Sequence, residues 1–175
     1  GIVTDRAGNI YVTGYVTRPA TGEDIFVIKY NSSKVEQWKR YYDGPGHSSD
    51  KAFGIVVDAS NNVIVTGYST GVGSQADFTT IKFNSAGTQQ WVQRYNAPVN
   101  GDDRAFGIVV DRVGNIYVTG YITLAGTDFY TIKYNSNGIY IWGKVIGGNV
   151  LGDDKAWGIV VDSLGNNIYI CGQTF

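Results

Sequence analysis

Methionine is absent from the chain, leucine occurs three times (Leu124, Leu151, Leu164) and glutamate twice (Glu23, Glu36). These are strong helix formers, and their scarcity argues against helical architecture. A single cysteine, Cys171, excludes an internal disulfide framework and a cysteine-based zinc site. No apolar run approaches the ~18 residues of a membrane-spanning helix, and no signal peptide is recognisable. Charge is nearly balanced, at a formal −1, with no basic block, which argues against nucleic acid as a partner. The only histidine, His47, lies in a variable loop. Nucleophile-elbow, His-Glu-x-x-His and phosphate-loop motifs are all missing, so no catalytic residue is assigned.

What is present is glycine (24 residues), tyrosine (13) and many Val, Ile, Thr, Asp and Asn. Val, Ile, Thr and the aromatics favour strands, while Gly, Asn and Asp favour turns. The expectation is an all-β chain. Poverty in Lys and Glu, with richness in Gly, Asn, Ser, Thr and Tyr, suits an exported protein.

Repetition specifies more. Gly-Ile-Val recurs at Gly1, Gly54, Gly107 and Gly158, at spacings of 53, 53 and 51 residues. Each complete unit holds four short apolar runs joined by Gly/Asn turns, the pattern of a propeller blade. Runs such as Ile116-Tyr-Val-Thr119 are apolar on both faces, as a sheet packed between two neighbours requires. The units divide as blade 1 (1–53), blade 2 (54–106), blade 3 (107–157) and a partial blade 4 (158–175) with two strands, all within one propeller domain.

Two connections in each unit are stereotyped. The first-to-second turn opens with Asp5, Asp58, Asp111 or Asp162 and ends in Asn, so the aspartate is expected to cap the hairpin through backbone N–H groups. The third-to-fourth turn is followed at a fixed offset by Trp38, Trp91 or Trp142, read as inter-blade packing anchors. The second-to-third loops (16–23, 69–76, 122–127) and blade-to-blade loops (43–49, 96–102, 147–153) vary. In an up-and-down blade both emerge on one side, making that side the place for a ligand.

The string Gly-Ile-Val-Val-Asp-x-x-Gly-Asn-x-Tyr-Val-Thr-Gly-Tyr, then Lys-Tyr-Asn-Ser-x-Gly-x-x-x-Trp, then Gly-Asp-Asp-Lys/Arg-Ala resembles the seven-bladed β-propeller (SBBP-type) repeat family across essentially the whole chain. The Asp-x-x-Gly-Asn hairpin is locally similar to NHL-type blades, and the Gly-x-x-x-Trp step to quinoprotein blades. The SBBP resemblance implies a propeller and suggests export or surface display. It implies no defined activity and no catalytic residues.

A closed propeller ring has at least four blades. Three and a half would leave two open faces, each comparable with one side of a standard interface, roughly 800 Å². The remaining blades would come from a longer parent chain, the preferred reading, or from other copies in a homo-oligomer. Doubling fourteen strands gives the number in seven four-stranded blades.

One constellation offers a ligand hypothesis. Asp50, Asp103 and Asp154 precede the innermost strands, Asp102 and Asp153 double the charge in two units, and Asp24, Asp77 and Asp128 open the third strands. An acidic ring at a channel mouth could take Ca²⁺ or sugar hydroxyls. The alternative is structural: Lys51, Arg104 and Lys155 would neutralise the charge, or the carboxylates would tie blades together through backbone N–H groups. The expected function is therefore a non-catalytic structural, assembly or protein-interaction module without an obligate cofactor. A glycan- or cation-binding module is the alternative, with Tyr15, Tyr68 and Tyr121 as aromatic contacts, and a fragment of a propeller enzyme comes third.

Overall fold

A computed structural model describes residues 1–147, 152–162 and 165–174. The loop 147–153 and the hairpin opened by Asp162 therefore lie partly outside the described residues, as do Leu151, Leu164 and Phe175. Fourteen strands and no helix are assigned among the described residues. The first sheet holds β1 (Ile2–Thr4), β2 (Ile10–Arg18), β3 (Gly22–Tyr30) and β4 (Glu36–Tyr42). The second holds β5 (Asp50–Val57), β6 (Val63–Thr70), β7 (Ala76–Phe83) and β8 (Gln89–Tyr95). The third holds β9 (Arg104–Val110), β10 (Ile116–Thr123), β11 (Thr127–Tyr134) and β12 (Tyr140–Ile146). β13 (Lys155–Val161) and β14 (Ile168–Gln173) form a two-stranded sheet. In every sheet the strands follow chain order and pair antiparallel, so the architecture is a partial β-propeller of three four-stranded blades and half of a fourth.

Blade 2 shows why the strands carry apolar residues on both faces. Val63 and Val65 on β6 pack toward blade 1 with Tyr11, Ile25 and Trp38, while Ile64 between them packs toward blade 3 with Ile108, Ile116 and Ile132. Successive side chains point to opposite faces of a strand, so a blade covered on both sides must be apolar at consecutive positions.

The recurring Gly-Ile-Val marks where inner strands meet rather than where they begin. β5 starts at Asp50, four residues before Gly54. A Cβ on Gly54 would stand 2.8 Å from Ile108 Cγ2 and 2.9 Å from the Phe106 carbonyl oxygen, so glycine here permits close approach of the next blade. Just before this glycine the inner strands β5, β9 and β13 each carry an extra residue. The register skips Phe53, Phe106 and Trp157, each an aromatic at a β-bulge.

The ends of the array differ from its middle. Tyr11 and Tyr117 are completely buried, whereas Tyr169, at the same place in blade 4, is 63% exposed. Ile108 and Ile159 are 8% and 7% exposed, whereas the equivalent Ile2 is 71% exposed. The same residue types are covered where a neighbouring blade packs against them and bare where none does.

Candidate functional site

The uniform side of the array is built from capped turns. Asp5 Oδ1 accepts hydrogen bonds from the backbone N–H groups of Ala7 and Asn9, both at 2.9 Å, and Oδ2 from Asn9 Nδ2 at 2.7 Å and the Tyr11 hydroxyl at 3.0 Å. Asp111 repeats this set with Val113, Asn115 and Tyr117. In the fourth unit a one-residue insertion moves the capping amide to Asn167, whose Nδ2 reaches Asp162 at 2.7 Å. Blade 2 has Ile64 in place of the tyrosine, and Lys82 fills the gap with an ion pair to Asp58 at 3.0 Å. Burial pushes the carboxyls of Asp5, Asp58 and Asp111 up, but these hydrogen bonds outweigh it and hold all three below the usual range.

Two of the three repeat tryptophans join one blade to the next on this side. Trp38 Nε1 donates to the Ser85 carbonyl at 3.1 Å, and Trp91 Nε1 to that of Ser136 at 3.3 Å. Trp142 packs against Tyr117 within its own blade, with ring centroids 6.3 Å apart.

On the irregular side the blade-to-blade linkers meet the second-to-third loops, through bridges between Glu23 and Ser49 and between Thr127 and Asp153. The acidic residues here do not share one environment. Asp50, Asp103 and Asp154 are buried. Asp50 accepts backbone N–H bonds from Gly44 at 2.5 Å and Thr70 at 2.9 Å. Asp103 does the same with Ala97 at 2.6 Å and Thr123 at 2.8 Å. Each clamps the incoming linker to its own blade. Burial pushes both carboxyls up, and the charges of Asp43 and Asp24 around Asp50, and of Asp77 and Asp102 around Asp103, add to it.

The flanking charges are distributed differently from simple neutralisation of these carboxylates. Lys51 pairs with Glu23 at 2.8 Å, while Arg104 pairs with Asp102 at 2.7 Å and Lys155 with Asp153 at 3.9 Å. Among the third-strand aspartates, Asp24 bonds Arg18 at 2.9 Å and Thr21 Oγ1 at 2.7 Å, and Asp77 bonds Arg94 at 2.5 Å. Asp128 is half-buried against the backbone at Gly147. Asp24 thus gathers with Asp50, and Asp77 with Asp103, at successive blade junctions. Exposed His47 places Nδ1 2.6 Å from Asp43 Oδ2.

Of the loop tyrosines, Tyr68 and Tyr121 are buried, with hydroxyls bonded to Ser49 and Asp102, while Tyr15 is half-exposed. Lys51 lies over the Tyr15 ring, Arg104 over Tyr68 and Lys155 over Tyr121, at 4.2, 4.6 and 5.3 Å from the centroids. Beside them runs a row of the bulged aromatics: Phe53 to Phe106 at 5.1 Å and Phe106 to Trp157 at 4.8 Å. The sequence signal for this row is the string Lys/Arg-Ala-Phe/Trp-Gly, repeated at each inner strand. Its alternation is broken by the bulge, so period-2 reading does not reveal where the aromatic points.

Two solved structures share the fold. A protein of unknown function from Dyadobacter fermentans aligns with the whole chain at TM-score 0.67 and 10% identity, the chain covering 61% of its length. The periplasmic gluconolactonase PpgL of Pseudomonas aeruginosa aligns with 94% of the chain at TM-score 0.55 and 14% identity, the chain covering 47% of its length. The chain thus spans about half to three-fifths of the proteins whose fold it shares. No curated protein matches its sequence. Residues 90–130, running from β8 across the linker into β11, match the family model of the SBBP β-propeller repeat.

Proposed function

We propose that the chain is a non-catalytic propeller module of an exported or cell-surface protein, with a structural or assembly role, and that further blades cover its two open faces. The contrast between buried Tyr117 and exposed Tyr169, and between Ile108 and Ile2, carries this reading. Blade faces of this composition are too apolar to remain in water on a soluble protein. The blades come from a longer parent chain, or from second copies closing the ring. The turn composition and the SBBP repeat support export. Light scattering across a concentration series, with a dye that fluoresces on apolar surface, tests the proposal. A defined assembly that excludes the dye supports closure by copies; a dye-binding, self-associating 19 kDa chain supports closure by a longer parent. A monodisperse 19 kDa monomer that excludes the dye overturns both.

The aromatic row favours a second reading, recognition of a glycan. Phe53 and Trp157 are partly exposed and stacked through Phe106, with cations and carboxylates alongside. Aromatic faces flanked by polar groups suit the apolar face and hydroxyl rim of a sugar. A glycan array probed with the wild type and Phe106→Ala distinguishes this from a scaffold, which binds nothing selectively.

A further inference from the structure

The first two blade junctions repeat one design but differ in charge. One carboxylate oxygen from each of Asp24, Asp43 and Asp50 lies within 4.8 Å of the others. At the second junction the place of Asp43 is taken by Asn96, whose side chain bonds Asn100 instead. At the third it is taken by Gly147. Only the first junction therefore brings three carboxylates together among the described residues.

Two oxygens of this group lack partners. Asp24 is fully buried, and its Oδ2 takes Arg18 and Thr21 while its Oδ1, equally buried, accepts no hydrogen bond. Asp43 Oδ2 meets the exposed His47, and its buried Oδ1 likewise has no partner. A buried carboxylate oxygen without a donor pays a desolvation penalty that no hydrogen bond to that oxygen offsets. Arg18 is the one guanidinium bonded to the group, and it is half-exposed at the rim. Three anions around one partly solvated cation leave room for about two further positive charges.

We propose that Asp24, Asp43 and Asp50 hold a Ca²⁺ ion at the junction of blades 1 and 2. The donors are all hard oxygens, which favours calcium or magnesium over a softer metal. Calcium–oxygen bonds of 2.3–2.6 Å let two ligands on opposite sides of the ion stand roughly 5 Å apart, which accommodates the observed grouping. Asp43 sits on the linker, Asp24 on blade 1 and Asp50 on blade 2, so the ion fastens one blade to the next. Magnesium, with its shorter bonds and reluctance to shed water, fits a carboxylate trio spread across three segments less well.

Calorimetric titration with CaCl₂ after EDTA treatment tests the site, with thermal unfolding in parallel. The variant Asp43→Asn reproduces the residue that the second junction carries, so it is compatible with the fold. The wild type is expected to bind one ion below about 1 mM, within the range of extracellular calcium modules, and to unfold at higher temperature when loaded. Asp43→Asn is expected to weaken binding about tenfold or more, because calcium affinity follows the count of charged ligands. Asp102→Asn, which removes a carboxylate paired with Arg104, is expected to leave it unchanged. Terbium luminescence gives a second readout on the wild type alone, since Tyr42 adjoins Asp43 in sequence and feels the charges of Asp43 and Asp50, close enough to sensitise an ion held there. Absence of calcium heat at about 1 mM overturns the proposal. So does equal weakening by Asp43→Asn and Asp102→Asn, which would mean diffuse surface charge, and so does an equal response to magnesium.

Discussion

Trp38 of blade 1 donates its indole N–H to the Ser85 carbonyl of blade 2, and its ring covers Gly87 so closely that a Cβ there would stand 2.7 Å from it. Trp91 and Gly138 repeat the relationship one blade on. Gly87 also has φ +79°, where an L side chain is strained. Each joint thus needs both an indole and a glycine. Gly87→Ala is expected to destabilise by about 2–3 kcal/mol, combining left-handed strain with overpacking. Trp38→Ala is expected to cost about 3–5 kcal/mol. Trp142→Ala should cost visibly less, because among the described residues the ring contact of that indole is with Tyr117 of its own blade. Denaturant titration of the three variants checks the ranking.

Blade 1 breaks the pattern at the turn where Gly87 and Gly138 stand. Lys34 occupies the position, at φ 66°. Replacing it with glycine removes the left-handed penalty, so Lys34→Gly is expected to stabilise by about 1 kcal/mol. Its Cβ would also obstruct an indole arriving from a preceding blade in the manner of Trp38. The blade that covers Ile2 is therefore expected to pack without that Trp contact, which mutagenesis of any partner found by cross-linking would check.

Lys29, Lys82 and Lys133 share one repeat position but do different work. Lys29 and Lys133 sit over the rings of Tyr11 and Tyr117, at 5.4 and 4.9 Å. Lys82, facing Ile64 instead, is buried against Asp58 and also donates to the Ser136 carbonyl at 3.1 Å. Removing one member of a buried pair leaves the other uncompensated, so Lys82→Ala is expected to cost about 3 kcal/mol. Lys29, whose bond to the Ser85 carbonyl at 3.3 Å is exposed, loses that bond and a cation–π contact in Lys29→Ala, which is expected to cost about 1 kcal/mol. Thermal melts of the two variants compare them directly.

The carboxylates on the two sides of the array predict opposite responses to pH. Asp5, Asp58 and Asp111 have folded pKa values below the unfolded ones, so their contribution is present above about pH 4 and is lost as pH falls through the folded values. Asp50, Asp77 and Asp103 have raised folded values, chiefly from burial. Their contribution is fullest below about pH 4 and is lost as pH rises through the folded values. Asp111→Asn should flatten the acid limb of the stability curve. Asp103→Asn should instead flatten the fall on the higher-pH side. Urea unfolding from pH 3 to pH 8 separates the two.

The repeat made the number of strands, their order and the capped turns legible in the sequence. Asp5 and Asn9 lie four residues apart in the same hairpin, so a local rule reaches both. Trp38 and Trp91 were equally readable as joints, because a large aromatic at a fixed offset in each unit meets the turn of the next blade, whereas Trp142 packs against Tyr117 of its own blade. The bulged aromatics Phe53, Phe106 and Trp157 were not, since an extra residue in the ladder reverses the facing that alternation predicts. Nor did spacing distinguish Asp43 from the rest of its loop, or show that Lys51 turns to Glu23 and away from adjacent Asp50.

Sequence by itself thus determined the blade: strand propensity, turn chemistry and a period near 53 residues are local properties, and each unit states them again. Tertiary structure alone decided what lies at the junctions. There, groups from 6 to 47 residues apart in the chain meet, and desolvation by neighbouring blades sets which carboxylates are capped, paired or left without a donor.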